Sequence, residues 1–224
     1  MHSSPLFDVE LFRPEPHRLA VVRAVERPTL VLGSTQPADL VNRLLVRAGR
    51  LEVVRRRGGG GAVYLEPESQ VWIDAWIPRA DPLWVADVAA AAAWAGAWWV
   101  AALEAVGLSG LDVHVGRAMP GDFGELVCFA GRGSGEVFSG GRKVMGLSQW
   151  RSREGALFSA CAYARWAPIP LLEALGFDIE GSGELVDEVS GVAVGIEELG
   201  SASGGLTQLA DALLSSFEAW GAGG

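Results

Sequence analysis

Residues 88–103 run for sixteen positions without a charged side chain, between Asp87 and Glu104. The run is shorter than the roughly 20 residues that cross a bilayer, and much of it is alanine, which is only weakly apolar. A helix apolar on all sides must be buried. The chain therefore needs a sheet to cover this one. The pattern predicts a helix that starts at Asp81-Pro82 and ends at Val106-Gly107. Trp84, Trp94, Trp98 and Trp99 read as core filler within it.

Strands are the natural complement. Apolar runs bounded by turn residues predict strands over 19–25, 29–32, 51–54, 63–65, 70–77, 111–115, 124–129 and 156–164. Arg27-Pro28 reads as the turn between the first two. Residues 70–77 are apolar on both faces and belong inside a sheet. Residues 136–139 and 142–149 read as a hairpin about Gly140-Gly141 that presents Lys143 near a tight turn. Helices are expected from near Pro37 to Ala48-Gly49, over 168–175 and over 206–220. The acidic, glycine-rich residues 176–205 receive no element. The expected architecture is α+β, with a mixed, mostly antiparallel sheet flanked by helices. Residues 20–224 would form one domain behind an N-terminal arm over 1–19.

A net charge of −9 argues against a nucleic-acid-binding surface. The two cysteines, Cys128 and Cys161, make no disulfide framework. No basic segment followed by an apolar one opens the chain, so the expected location is the cytoplasm. His2, His17 and His114 are scattered, so no metal-ligand cluster and no Ser-His-Asp site are expected.

Lys143 is the only lysine; the other seventeen basic residues are arginines. Either it survived by chance, or it marks a site where a compact ammonium is needed and a planar guanidinium will not fit. A second unusual element is Arg55-Arg-Arg-Gly-Gly-Gly-Gly-Ala62. Three cations followed by four glycines is costly in entropy and repulsion. It reads as an anion cradle, with glycine amides close to a phosphate and arginines supplying charge, or as a flexible surface loop. It is not a P-loop, because no Lys-Ser/Thr follows.

Together with Thr29-Leu-Val-Leu-Gly-Ser-Thr-Gln36 and Gly141-Arg-Lys-Val-Met-Gly-Leu-Ser-Gln149, this element resembles the lipoate–protein ligase and octanoyltransferase family. The likeness covers roughly residues 20–175. It implies a fold akin to the catalytic domains of biotin ligases and class II aminoacyl-tRNA synthetases. It implies attachment of lipoate or octanoate to a lysine of lipoyl domains, in 2-oxoacid dehydrogenases or the glycine cleavage H protein. As a ligase the chain would use ATP with Mg2+ and pass through an acyl-adenylate. The resemblance assigns acyl and adenylate contacts to Arg55, Arg56, Gly59, Gly60, Gly61, Ala62, Gly141, Arg142 and Gly146, and the acyl carbonyl and phosphate to Lys143. An apolar tunnel lined by Val71, Ile73 and Val144 would take the chain.

The sequence departs from the family at Gly58, where Ser or Thr is usual, and at Leu65-Glu66, where His-Asp is common. It departs again at Glu154-Gly155, where ligases show His-Gly. With only a glycine-rich stretch and one helix read after residue 175, no counterpart is expected there of the accessory domain that follows the catalytic domain in many ligases. Cys128-Phe-Ala resembles the Cys-Phe element of one octanoyltransferase branch. There an acyl carrier protein would be the donor and Cys128 a thioester carrier. Cys128 could equally be a small buried hydrophobe. A non-catalytic member that binds an acyl group or a lipoyl domain is the third reading.

Overall fold

The computed structural model describes residues 17–200 and 205–219. The expected arm falls outside the described residues up to residue 16, as does Trp220. Among the described residues the strands form two sheets. The larger runs in the order β1 (Leu19–Val22), β5 (Gln70–Pro78), β9 (Gly155–Tyr163), β8 (Arg142–Arg151), β7 (Val137–Ser139), β6 (Leu111–Val113), with every pair antiparallel. The smaller has β2 (Thr29–Leu32) between β3 (Glu52–Arg55), which is parallel to it, and β4 (Val63–Leu65), which is antiparallel. This is the mostly antiparallel α+β arrangement that the strand pattern predicts.

Alternation along β5 sorts the two faces of the large sheet. Val71, Ile73, Ala75 and Ile77 meet α2 (Val88–Ala105) and α5 (Gly205–Ala219). There Ala91, Ala95, Trp98, Trp99, Ala102 and Leu103 of α2 are buried with Leu209, Leu213 and Phe217 of α5. Helix α2 is long and apolar enough to cross a bilayer, yet this is the face it packs on the sheet. It begins later than expected. Asp87, not Asp81, is its N-cap and accepts from the Ala90 amide at 2.7 Å. Asp81 instead holds a turn through the Leu83 amide and pairs with Arg18.

The other face carries Trp72 and, beside it, Asp74. This buried carboxylate accepts from Trp72 Nε1, Ser159 Oγ and Arg23 Nε at 2.6–3.1 Å. Against this face lie the small sheet, α3 (Pro168–Ala174) and α4 (Gly183–Gly191). Leu30, Leu65, Phe129, Tyr163, Leu172 and Val189 form a second core there.

Three expectations need correction, and one unassigned stretch gains structure. The strand expected over 19–25 ends at Val22, and the segment with Arg27-Pro28 crosses between sheets: β1 pairs with β5 in the large sheet, and β2 lies in the small one. The crossing is anchored by the Arg23 amide on Trp72 O at 2.8 Å. Residues 124–129 form turns and a 3-10 turn over Cys128–Ala130 rather than a strand. The Leu126 and Val127 amides both close back on Phe123 O. The helix expected from Pro37 is split in two. A 3-10 turn over Ala38–Leu40 ends at extended Val41, and Asn42 caps α1 (Arg43–Arg47). Residues 176–200, which had no assignment, supply α4 and an extended run that reaches the large sheet. The Ile196 and Glu197 amides bond to Tyr163 O and Ala164 O.

Candidate active site

Lys143 sits at the second position of β8. Its aim is set by a bulge. Val137 stands opposite Met145, but Phe138 stands opposite Lys143, so β8 carries one extra residue, Val144. Val144 and Met145 both enter the core beneath α2. Unbroken alternation would send Lys143 to that core as well. The bulge turns it to the opposite side, where it meets Phe129, as does Gly146.

There Lys143 is 1% exposed. Its Nζ lies 2.6 Å from Glu136 Oε2 and donates to Cys128 O at 2.8 Å. The rings of Phe129 and Phe138 stand 5.7 and 5.9 Å away. Its own backbone is clamped: the amide donates to Val192 O, and its carbonyl accepts from the Val194 amide. Glu136 is buried in turn and accepts from the Gly133 amide at 2.5 Å and the Leu147 amide at 3.3 Å.

These groups line a pocket of about 600 Å³, which also takes in Gly59, Gly60 and Gly61 on one wall and Gly124 to Leu126 on another. The volume lies within the range of small-molecule sites. The apolar part of the lining is Pro37, Leu40, Pro120, Leu126 and Leu147. It is not Val71, Ile73 and Val144. Those belong to the core under α2, because strand parity and the bulge carry them to the far face of the sheet.

The arginines of the glycine loop point inward to the backbone. Arg55 Nη1 donates to Gly33 O and Gln36 O at 2.6 Å each. Arg56 is 4% exposed and bonds through Nη2 to Gly59 O and Gly61 O at 2.8 Å each. Burial lowers its pKa, and the groups around it work the other way; a guanidinium remains charged regardless. Arg57 stacks over Trp150. The loop is thus held in shape from within, and Gly59, Gly60 and Gly61 face the pocket. Ala62 ties it to the opposite wall: its amide bonds Leu126 O and its carbonyl takes the Cys128 amide.

Of the residues singled out from the sequence, Lys143, Cys128, Gly59, Gly60 and Gly61 meet at the pocket. Arg55, Arg56, Ala62 and Gly146 support it from behind. Gly141 lies in the tight turn that enters β8, and Arg142 is the first residue of that strand. Gly140 and Gly141 have φ of 55° and 82°, and Arg132 bonds Gly141 O. Sequence reasoning passed over Glu136, Glu125, Arg132 and Gln36. For Glu136 the available signal was an acid seven residues before the lone lysine in a predicted hairpin. Among the described residues no group of three His, Cys, Asp or Glu side chains could hold a metal ion.

Gln36 is a brace that spans two walls. Its Oε1 accepts from the Gly33 amide, and its Nε2 donates to Glu125 O and Leu126 O. Gln36→Leu removes these bonds from the buried Gly33 amide and from Glu125 O, while Leu126 O keeps the Ala62 amide, so it should cost about 1–3 kcal/mol in urea unfolding. A change below about half of one kcal/mol would mean the walls hold without it.

The cysteines are unlike one another. Cys161 is buried, and that burial pushes its thiol well above the ordinary value. Cys128 is half-buried at the pocket. Iodoacetamide at neutral pH should therefore modify Cys128 well before Cys161 in the folded protein. Equal rates would contradict the placement of Cys161.

Comparisons with known proteins bear on the family and the fold. The family model of the lipoyl protein ligase A/B catalytic domain matches residues 10–177. Among curated proteins none matches by sequence. Solved structures share the fold. A bi-partite lipoate protein ligase from Thermoplasma acidophilum, studied with its E2 lipoyl domain, aligns with a TM-score of 0.68 at 16% identity, over 94% of this chain and 73% of its own. A lipoate-protein ligase A bound with ATP gives 0.65 at 16%, over 94% and 75%. Protein Ta0514 of T. acidophilum, with bound lipoic acid, gives 0.62 at 16%, over 90% and 71%. This chain belongs to the family of the lipoyl protein ligase A/B catalytic domain.

Proposed function

We propose that the chain is a ligase that attaches lipoate or octanoate to a lysine of a lipoyl domain through an acyl-adenylate. The acceptors would be lipoyl domains of 2-oxoacid dehydrogenases or the glycine cleavage H protein. The observation that carries the reading is the state of Lys143. An ammonium has three donors. Glu136 engages one and Cys128 O another, which leaves one for a ligand in the pocket. With the glycine-loop amides this suits a single phosphate joined to an acyl carbonyl.

In the first step a carboxylate oxygen of the acid attacks the α-phosphorus of ATP, and pyrophosphate leaves. In the second the acceptor amine attacks the acyl carbon, AMP leaves with the electron pair of the broken C–O bond, and the amine's proton passes to water. The pocket's task in both is positioning and charge stabilisation. Lys143 would donate to the oxygens of the mixed anhydride. The glycine loop would let the backbone approach the phosphate. Mg2+ would supply charge neutralisation on the phosphates; with few carboxylates at the pocket, it would rely on phosphate oxygens and water, with Glu125 within reach of the wall.

One observation supports a second reading. Cys128 lines the same pocket and offers its carbonyl to Lys143. A thioester on Cys128, loaded from an acyl carrier protein, would present its acyl group beside the same cation. The test offers a lipoyl domain with octanoate plus ATP, or with octanoyl-carrier protein and no ATP, and reads the intact mass of the acceptor. ATP-dependent gain of one octanoyl group is expected, and it should survive Cys128→Ala within about tenfold. Gain from the carrier protein alone, lost in Cys128→Ser, would replace the first reading by the second. No gain from either donor would sink both.

A further inference from the structure

The lone lysine of this chain lies where an activated acyl group would sit, which sets a chemical problem. A free amine beside a mixed anhydride is itself an acceptor. Its lone pair would attack the acyl carbon and form a C–N bond. The bond from that carbon to the phosphate oxygen would break, AMP would leave with its electron pair, and the amine's proton would pass to water. The product would be an amide on Lys143 and a dead site. An ammonium has no lone pair and cannot do this.

We propose that Glu136 is a positioning residue that keeps Lys143 a non-nucleophilic ammonium and so guards it against self-acylation. The inference rests on the reading that an activated acyl group occupies this pocket. Lys143 is 1% exposed, and three features engage its Nζ there. The Glu136 carboxylate stands 2.6 Å from Nζ. The faces of Phe129 and Phe138 lie within cation–π range. Cys128 O accepts one of the protons. Glu136 is in turn held as an acceptor by the Gly133 and Leu147 amides, so it cannot swing away. The other charged or titratable groups around the pair include Arg56 behind the glycine loop, Cys128, His114 against Phe138, and Glu125 and Arg132 on the pocket wall. None of them has a carboxylate on Nζ.

Because Lys143 is the only lysine, every lysine adduct reports on it alone, and peptide mapping separates the N-terminal amine. Wild type, Glu136→Gln and Glu136→Asp are each incubated with octanoyl-adenylate and no acceptor, and separately with acetic anhydride. Both reactions are followed by mass. Wild type should stay unmodified at Lys143, and Glu136→Gln should be octanoylated and acetylated there at least tenfold faster. Glu136→Asp keeps the charge but withdraws it by one methylene, and it should fall between them. It also serves as the test should Glu136→Gln fail to fold. Acetylation of the variants at the wild-type rate overturns the proposal. Faster acetylation without octanoylation upholds the role of Glu136 in protonation and overturns the placement of the acyl-adenylate.

Discussion

Lys143→Arg should lower acyl transfer to the acceptor by about a thousandfold or more, near 4 kcal/mol in barrier, while the fold persists. The substitution keeps a positive charge opposite Glu136, so no buried carboxylate is stranded. It changes shape. Nζ lies between Glu136 Oε2 and Cys128 O, at 2.6 and 2.8 Å, in a side chain that is 1% exposed. A guanidinium is wider, planar and longer. To keep the Glu136 contact it has to displace the Cys128 carbonyl or push into the space of the donor. The rate of mass gain on a lipoyl domain, set beside the melting temperature, checks this. Activity within a few-fold of wild type would mean that the ammonium's size is irrelevant. Lys143→Met makes the contrasting case. It strands the Glu136 carboxylate, and breaking a buried pair in that way costs roughly 3–5 kcal/mol of stability.

The second large effect concerns the glycine loop. Gly61→Ala should destabilise the protein by about 1–3 kcal/mol and weaken acyl-donor binding with it. A Cβ at Gly61 would stand 2.6 Å from both Cys128 N and Val127 C. Those are backbone atoms and cannot rotate out of the way. They also belong to the segment that carries the Lys143 acceptor, Cys128 O. Relief would require the Ala62–Val127 bridge to open. Gly59→Ala two residues earlier is the control. Nothing lies within 4 Å of its added Cβ, so stability should change by less than about 0.5 kcal/mol. Urea unfolding and titration with lipoate or octanoate would test the pair. If both variants behave alike, the close approach at Gly61 does not matter to the pocket.

Much of this protein is written in local pattern. The uncharged run over 88–103 forms α2. The apolar-on-both-faces run over 70–77 is β5, an interior strand. Such segments are legible because burial repeats at the period of the element itself. The lone lysine and the Arg/Gly element pointed to one pocket because residue type limits chemistry wherever the chain places it. What the residues do there was decided by contacts far along the chain. Arg55 and Arg56 look like anion ligands in sequence, but carbonyls of the Gly33–Gln36 turn engage Nη1 of Arg55 and carbonyls of the glycine loop engage Nη2 of Arg56. Gln36 finds its partners 89 and 90 residues away. Residues 192–194, in a stretch with no readable period, clamp the Lys143 backbone. The strand expected over 124–129 gave way to turns that close on Phe123. By itself the sequence determined the long, strongly patterned elements and which side chain carries the charge. Only the tertiary structure decided where that charge points: a single extra residue, Val144, reverses the face of β8, and a bulge leaves no trace in hydrophobic periodicity because both of its residues remain apolar and buried.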